Sequence, residues 1–158
     1  MSNESGTKIV FLDCDGVVSP FSDGSLFSKV HMARLKRILT STGAKLVLSS
    51  SWRTTDFGRK EVTSQLVQNG MPTFIGCTPE LSGQSRACEI LAWLKANKET
   101  YHICNFVALD DINLAASAPD RAFFARHAVV TNSFTGLTES DTDKAIALLD
   151  NSNNLPQS

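Results

Sequence analysis

The segment Ile9-Val10-Phe11-Leu12-Asp13-Cys14-Asp15-Gly16-Val17-Val18 constrains this chain more than any other. Four apolar residues running into a charge predict a buried strand, and open α/β sheets place their chemistry beyond the C-terminal ends of such strands. Side chains alternate along extended backbone, so Asp13 and Asp15, spaced i and i+2, are aimed to one side. Gly16 permits a sharp turn, which brings a carbonyl near Asp15 towards the same point. Two carboxylates and a carbonyl make a hard, oxygen-rich nest suited to Mg²⁺. The competing reading is a strand that ends in an Asp-rich turn, because Asp and Gly are common turn residues. An EF-hand loop is a poor fit: it needs Gly at its sixth position and Glu at its twelfth, where this chain has Val18 and Gly24.

Downstream, apolar runs and helical periods alternate. Ser19 to Ser28 is rich in Ser, Gly and Pro, with Phe21 and Phe27 interspersed, and predicts a flap beside the site with room for a short hairpin. Met32, Leu35, Ile38, Leu39 and Thr42 share one helical face, and Gly43 is placed to end that helix. Leu46 to Leu48 predicts a second strand, and a helix from about Asp56 to Asn69 follows, with Val62 and Leu66 inward and Gly70 as its stop. Thr73 to Ile75 is a short apolar run suited to a third strand. Gln84 to Asn97 carries the i, i+3, i+4, i+7 pattern in Ala87, Ile90, Leu91 and Leu94. Phe106 to Leu109 predicts the fourth strand, Ala128 to Val130 the fifth, and Ala145, Ile146 and Leu149 a closing helix. The expected architecture is α/β: a Rossmann-like, doubly wound, mostly parallel sheet with helices on both faces. It has a small flap and no large cap domain. One domain is expected over residues 1–150, with a loose polar tail over 151–158.

Three of the predicted strands end in polar residues fit for chemistry. Asp13 and Asp15 follow the first, Ser49 to Ser51 the second, and Asp110 and Asp111 the fourth. A hydroxyl at a strand end can donate to a nonbridging phosphate oxygen. Three consecutive serines leave the choice open, with Ser50 favoured and Ser49 second. Arg53 lies just beyond, within reach of a second phosphate or a substrate backbone, although a solvated surface is the more usual place for an arginine. Adjacent carboxylates such as Asp110 and Asp111 repel one another unless a cation or donors sit between them. A divalent ion resolves that conflict, although the pair also suits a turn ahead of a helix starting near Ile112. Arg86 heads the helix before the fourth strand, where a cation and the helix N-terminus would act together on a phosphate.

In this order, the four elements resemble the four motifs of the haloacid dehalogenase-like phosphatase superfamily. The resemblance implies that Asp13 is the nucleophile and Asp15 the general acid/base. It implies further that Ser50 (or Ser49) and Arg86 hold the phosphate. Mg²⁺ would be bound by Asp13, the Asp15 carbonyl and the Asp110/Asp111 pair, with Asp111 as the direct ligand of the two. A narrower resemblance, carried by Ser50-Ser51-Trp52-Arg53, Thr78-Pro79, Arg86 with Glu89-Ile90 and Trp93-Leu94, Leu109-Asp110-Asp111 and Thr135-Gly136-Leu137-Thr138, is to small single-domain members found in multidomain RNA-repair proteins. It implies a phosphomonoester hydrolase working through an aspartyl-phosphate on a phosphorylated substrate, with polynucleotide ends favoured among large substrates. A receiver-like phosphoacceptor is the first rival, but such domains carry their acceptor Asp on the third strand. A catalytically silent binding module on the same fold is the second, disfavoured because no motif residue is missing.

Composition narrows the field. With 158 residues, 42% apolar and 20% charged, the chain has the make-up of an ordinary globular domain. A net charge of −1 provides no overall basic field to attract nucleic acid or an anionic membrane, so a polyanionic substrate needs local positive groups. No run approaches the roughly 18 apolar residues of a membrane span, and the polar N-terminus lacks the apolar core of a signal peptide. The four cysteines show no C-x-x-C spacing, so neither a zinc site nor a disulfide framework is expected. A cytoplasmic protein with reduced thiols, no membrane partner and no obligate protein partner is the expectation.

Overall fold

In the run that becomes the first strand, Ile9, Val10, Phe11 and Leu12 are all buried. A strand apolar on both faces belongs in the middle of a sheet covered on both sides. The computed structural model describes residues 6–22 and 24–151 and gives that strand this place. Five parallel strands, β1 (Thr7–Leu12), β2 (Lys45–Leu48), β3 (Gly76–Cys77), β4 (Ile103–Asp110) and β5 (Ala128–Val130), form one sheet in the order β3-β2-β1-β4-β5. The order reverses around β1, which opens the crevice where such sheets bind ligands.

Two apolar layers flank the sheet. On one side α1 (Lys29–Thr42), α2 (Asp56–Gln68) and α5 (Glu139–Asp150) pack Met32, Leu35, Ile38, Val62, Leu66 and Leu149 against Val10, Leu12, Leu46 and Leu48. On the other, α3 (Arg86–Tyr101) and the short α4 (Arg121–Ala125) pack Ile90, Trp93 and Phe124 against Ile9, Phe11, Val47 and Phe106. Gly43 ends α1 with φ 75°, its N–H returning to the Leu39 carbonyl. Ser85 caps α3 through Cys88 N, and Thr138 with Asp141 forms a reciprocal capping box on α5. No helix among the described residues is long and apolar enough to cross a membrane.

The α/β architecture follows the expectation, and several boundaries differ from it. The third strand is not Thr73–Ile75 but Gly76–Cys77, which pair with Val47 and Leu48; the apolar run only leads in, through an Ile75 N–H bond to the Leu46 carbonyl. The helix placed at 84–97 spans Arg86–Tyr101, because Ser85 takes the N-cap. No helix starts at Ile112; a 3₁₀ turn covers Leu114–Ser117 instead. Among its described residues the 19–28 segment forms no hairpin, since Phe21 and Ser22 direct their N–H groups to the carbonyls of Ser133 and Phe134. The connection between β1 and α1 is too short for a large cap, and the β2–α3 connection is filled by α2 and β3. Asn151 apart, the polar tail lies outside the described residues.

Candidate active site

Parallel pairing sets four polar side chains level with one another. Leu12 pairs with Leu48 and Leu109, and Leu48 with Cys77, so one residue further on Asp13, Ser49, Asp110 and Thr78 stand at the same height. The backbone bonds Asp13 N to Leu109 O, Ser49 N to Leu12 O and Thr78 N to Leu48 O continue the ladder to that level. Strand alternation turns all four towards the side of α3, the side that receives Phe11, Val47 and Ala108. All four are buried.

Asp13, Asp110 and Asp111 converge, each offering a carboxylate oxygen within 4.8 Å of the others. Arg86, the first residue of α3, approaches from the helix: its Nη1 lies 2.8 Å from Asp110 Oδ2 and 3.5 Å from Asp13 Oδ1. Asp110 spends its other oxygen on the Ile112 N–H at 3.0 Å, which fixes the turn after β4. One arginine faces three carboxylates, and two of these, Asp13 and Asp111, are raised. Burial, and then the Asp110 charge, push the Asp13 carboxyl up to about 8 against the lowering pull of Arg86. Asp111 is also raised, by burial and then by Asp110. Arg86 loses by burial but gains more from the three acids, so its guanidinium is held more firmly charged.

The loop after β1 is closely tied down. Gly16 has φ 82°, and a Cβ there would stand 2.3 Å from Asp111 Oδ2, so only glycine admits the acid this close. Thr131, at the end of β5, donates to the Gly16 carbonyl at 2.7 Å. The N–H groups of Val17, Val18 and Ser19 all return to the Cys14 carbonyl. The Cys14 side chain is fully buried, and burial followed by the Asp13 charge drives its thiol upward. Asp15 is the exception among the acids. Its carboxylate lies outside the three-acid cluster and accepts from Trp52 Nε1 at 3.4 Å. Its carbonyl accepts no hydrogen bond from the described residues.

At the end of β2 the serines differ. Ser50 Oγ, the favoured phosphate donor of the two, accepts from Trp52 N at 3.1 Å as the cap of a 3₁₀ turn over Ser51–Thr54. Ser49 Oγ is buried and has no partner among the described residues, and the same holds for Thr78 Oγ1. Arg53 is neither a solvated surface group nor free for a second phosphate. It is 7% exposed, and it donates to Thr78 O, Ser50 O, Pro79 O and Glu89 Oε1 at 2.9, 3.0, 3.3 and 2.9 Å, using four of its roughly five N–H donors. Glu89 completes the clip by accepting from Leu81 N.

The cluster therefore gathers Asp13, Asp110, Asp111 and Arg86 and leaves Asp15 and Ser49 at its margin; Ser50 Oγ serves as the acceptor that caps the turn after β2, and the Arg53 guanidinium is engaged within the scaffold. Trp52, Thr78 and Glu89, quoted from sequence only for the narrower resemblance, join the site's surroundings, and so does Thr131, which sequence reasoning missed. Thr131 carried the signal used for the others, a polar residue at a strand's C-terminal end.

No curated protein and no solved structure shows significant similarity to the chain. A family model described as the HAD domain in Swiss Army Knife RNA repair proteins matches residues 9–142, from the first strand through the start of the last helix. The chain belongs to this family of small HAD domains, a phosphatase-type hydrolase superfamily whose members generally use Mg²⁺.

Proposed function

We propose that the protein is a Mg²⁺-dependent phosphomonoester hydrolase that works through an aspartyl-phosphate on Asp13, with a polynucleotide end as substrate. The observation that carries this reading is the convergence of three carboxylates on one arginine at the sheet's C-terminal edge. The donor set fits a hard divalent cation: all oxygen, acidic beyond what Arg86 neutralises, with two carboxyls raised by burial and then by the Asp110 charge. Asp13, Asp111 and the Asp15 carbonyl would hold the ion. Asp110 supports from behind, since both its oxygens are engaged by Arg86 and the Ile112 N–H. Bound there, Mg²⁺ would screen the repulsion between Asp13 and the incoming phosphate.

The chain's own residues divide the remaining work. Asp13 attacks phosphorus in line and splits one difficult displacement into two. Asp15 gives a proton to the departing alkoxide and takes one from water in the second step. Ser49, whose hydroxyl lacks a partner and lies level with Asp13, donates to an equatorial phosphate oxygen in place of Ser50. Arg86 neutralises another, helped by the N-terminus of α3. Membership of a family found in RNA repair proteins supports a nucleic-acid end, and the lack of a large cap leaves room for one. The test is turnover of 3′- and 5′-phosphorylated oligonucleotides, sugar phosphates and phosphopeptides with and without EDTA. Metal-independent hydrolysis would refute the ion site. A stable phospho-Asp without turnover would favour a receiver-like phosphoacceptor, and no phosphorylation at all a silent binding module.

A further inference from the structure

Trp52 touches three parts of the site at once. Its indole Nε1–H donates to Asp15 Oδ1 at 3.4 Å, and its backbone N–H is held by Ser50 Oγ. Its ring meets Phe27 edge-on, with centroids 5.2 Å apart and planes at 66°. Phe27 comes from the flap and is 5% exposed. It holds a left-handed φ of 52° that costs a non-glycine residue about 1–2 kcal/mol. Its N–H is secured by Ser19 Oγ at 2.8 Å. The indole is thus gripped by the flap on one side and by the turn after β2 on the other. A half-buried indole N–H needs an acceptor, and Asp15 provides it.

The bond has a chemical consequence. An indole N–H is only a donor. Oδ1 of Asp15 is therefore the accepting oxygen, and a proton carried by this carboxyl rests on Oδ2. We propose that Trp52 is a positioning residue for proton transfer, turning Asp15 so that Oδ2 meets the leaving oxygen; the proposal rests on the reading of Asp15 as acid/base. In the first step an Asp13 oxygen bonds to phosphorus, the ester P–O bond breaks, and the Oδ2 proton passes to the departing alkoxide. In the second step the Asp15 carboxylate takes a proton from water as that water attacks phosphorus and the Asp13–phosphorus bond breaks.

The test is Trp52→Phe, which keeps an aromatic ring against Phe27 and removes the N–H together with one ring of the indole, a loss of packing that bears on both esters alike. Single-turnover phosphorylation of Asp13 is measured with p-nitrophenyl phosphate, whose leaving group departs without a proton, and with a primary alkyl phosphate, whose leaving group does not. The expected result is about a tenfold loss on the alkyl ester, a part of the roughly 10²–10⁴-fold worth of general acid catalysis, with p-nitrophenyl phosphate nearly unchanged. In an Asp15→Asn background the substitution adds no further selectivity, because both changes remove the same function. Equal losses on the two esters, in a wild type that turns both over, overturn the role of Trp52 and leave the phosphatase reading standing; a wild type that turns over neither overturns both. Should Trp52→Phe not fold, the Asp15→Asn protein carries the test through its two indole N–H resonances. One must move and the other, from Trp93, must stay; two unmoved resonances overturn the contact.

Discussion

Arg53 and Arg86 both meet carboxylates beside the first turns of α3, Arg53 through Glu89 and Arg86 through Asp13 and Asp110. Around Arg53 the charges balance one to one, and three backbone carbonyls take further donors. Around Arg86 three acids share one cation, and two of them are displaced upward. Both clusters are buried or nearly so, so burial does not distinguish a functional charge from a structural one. The distinction lies in whether the surrounding groups satisfy it. Arg53 and Glu89 tie the β2 turn, the Thr78–Pro79 loop and α3 into one frame. The cluster three residues upstream on the same helix is left short of positive charge.

That contrast can be broken experimentally. The largest effect is expected from Asp13→Asn: turnover should fall by at least about 10³-fold, since covalent catalysis is lost. The melting temperature should hold or rise, because one of the repelling carboxylates is gone. Next comes Arg53→Met, which strands Glu89 in the interior and should cost on the order of 3–5 kcal/mol in urea denaturation. An unchanged midpoint would mean that the clip is not part of the frame. Third, Mg²⁺ at a hundredfold excess over its dissociation constant should stabilise the protein by about 2.7 kcal/mol, and Asp111→Asn should abolish that shift. Fourth, Ser49→Ala should lower the phosphorylation rate about 10–100-fold, a share of an oxyanion-type contact, with little change in stability because no hydrogen bond is lost. Ser50→Ala should do the reverse, costing about 0.5–2 kcal/mol of stability through its cap. The gentlest change, step by step, is with pH in EDTA. Asp13 binds its proton more tightly folded than unfolded. Its contribution to stability is full below the ordinary carboxylate value near 3.8 and shrinks as pH rises to its folded value of about 8. The slope is at most about 1.4 kcal/mol per pH unit, and saturating Mg²⁺ should flatten it.

The elements legible in the sequence were those with a long local signal. The apolar run of β1, the period of α1 with its Gly43 stop, and the carboxylates at the ends of β1 and β4 needed no tertiary information. β3 was misplaced because a two-residue edge strand is defined by its partner: Val47 and Leu48 select Gly76 and Cys77 over the more apolar Thr73–Ile75. Gly76 also suits the place, since a Cβ there would press to 3.1 Å from the Trp93 indole nitrogen. α4 escaped notice because five residues carry no period, although Asp120 capping Phe123 N is a local signal for it. Arg53 was misread because nothing around a charged residue in one dimension reveals three carbonyls and a carboxylate brought together from positions up to 36 residues apart. The choice between Ser49 and Ser50 turns on pleat and cap, which three identical neighbours conceal.

The thiol lodged between the two acids of the first motif has a chemical character of its own. Cys14 has no solvent exposure, and its surroundings disfavour the thiolate, the form that reacts with oxidants and alkylating agents. The motif thus carries sulfur at its centre without the vulnerability of a redox-active cysteine. Peroxide or a maleimide should modify the exposed Cys104 first and leave Cys14 intact. Packing, helped by the neighbouring Asp13 charge, in this way insulates the first motif from the oxidation state of its surroundings.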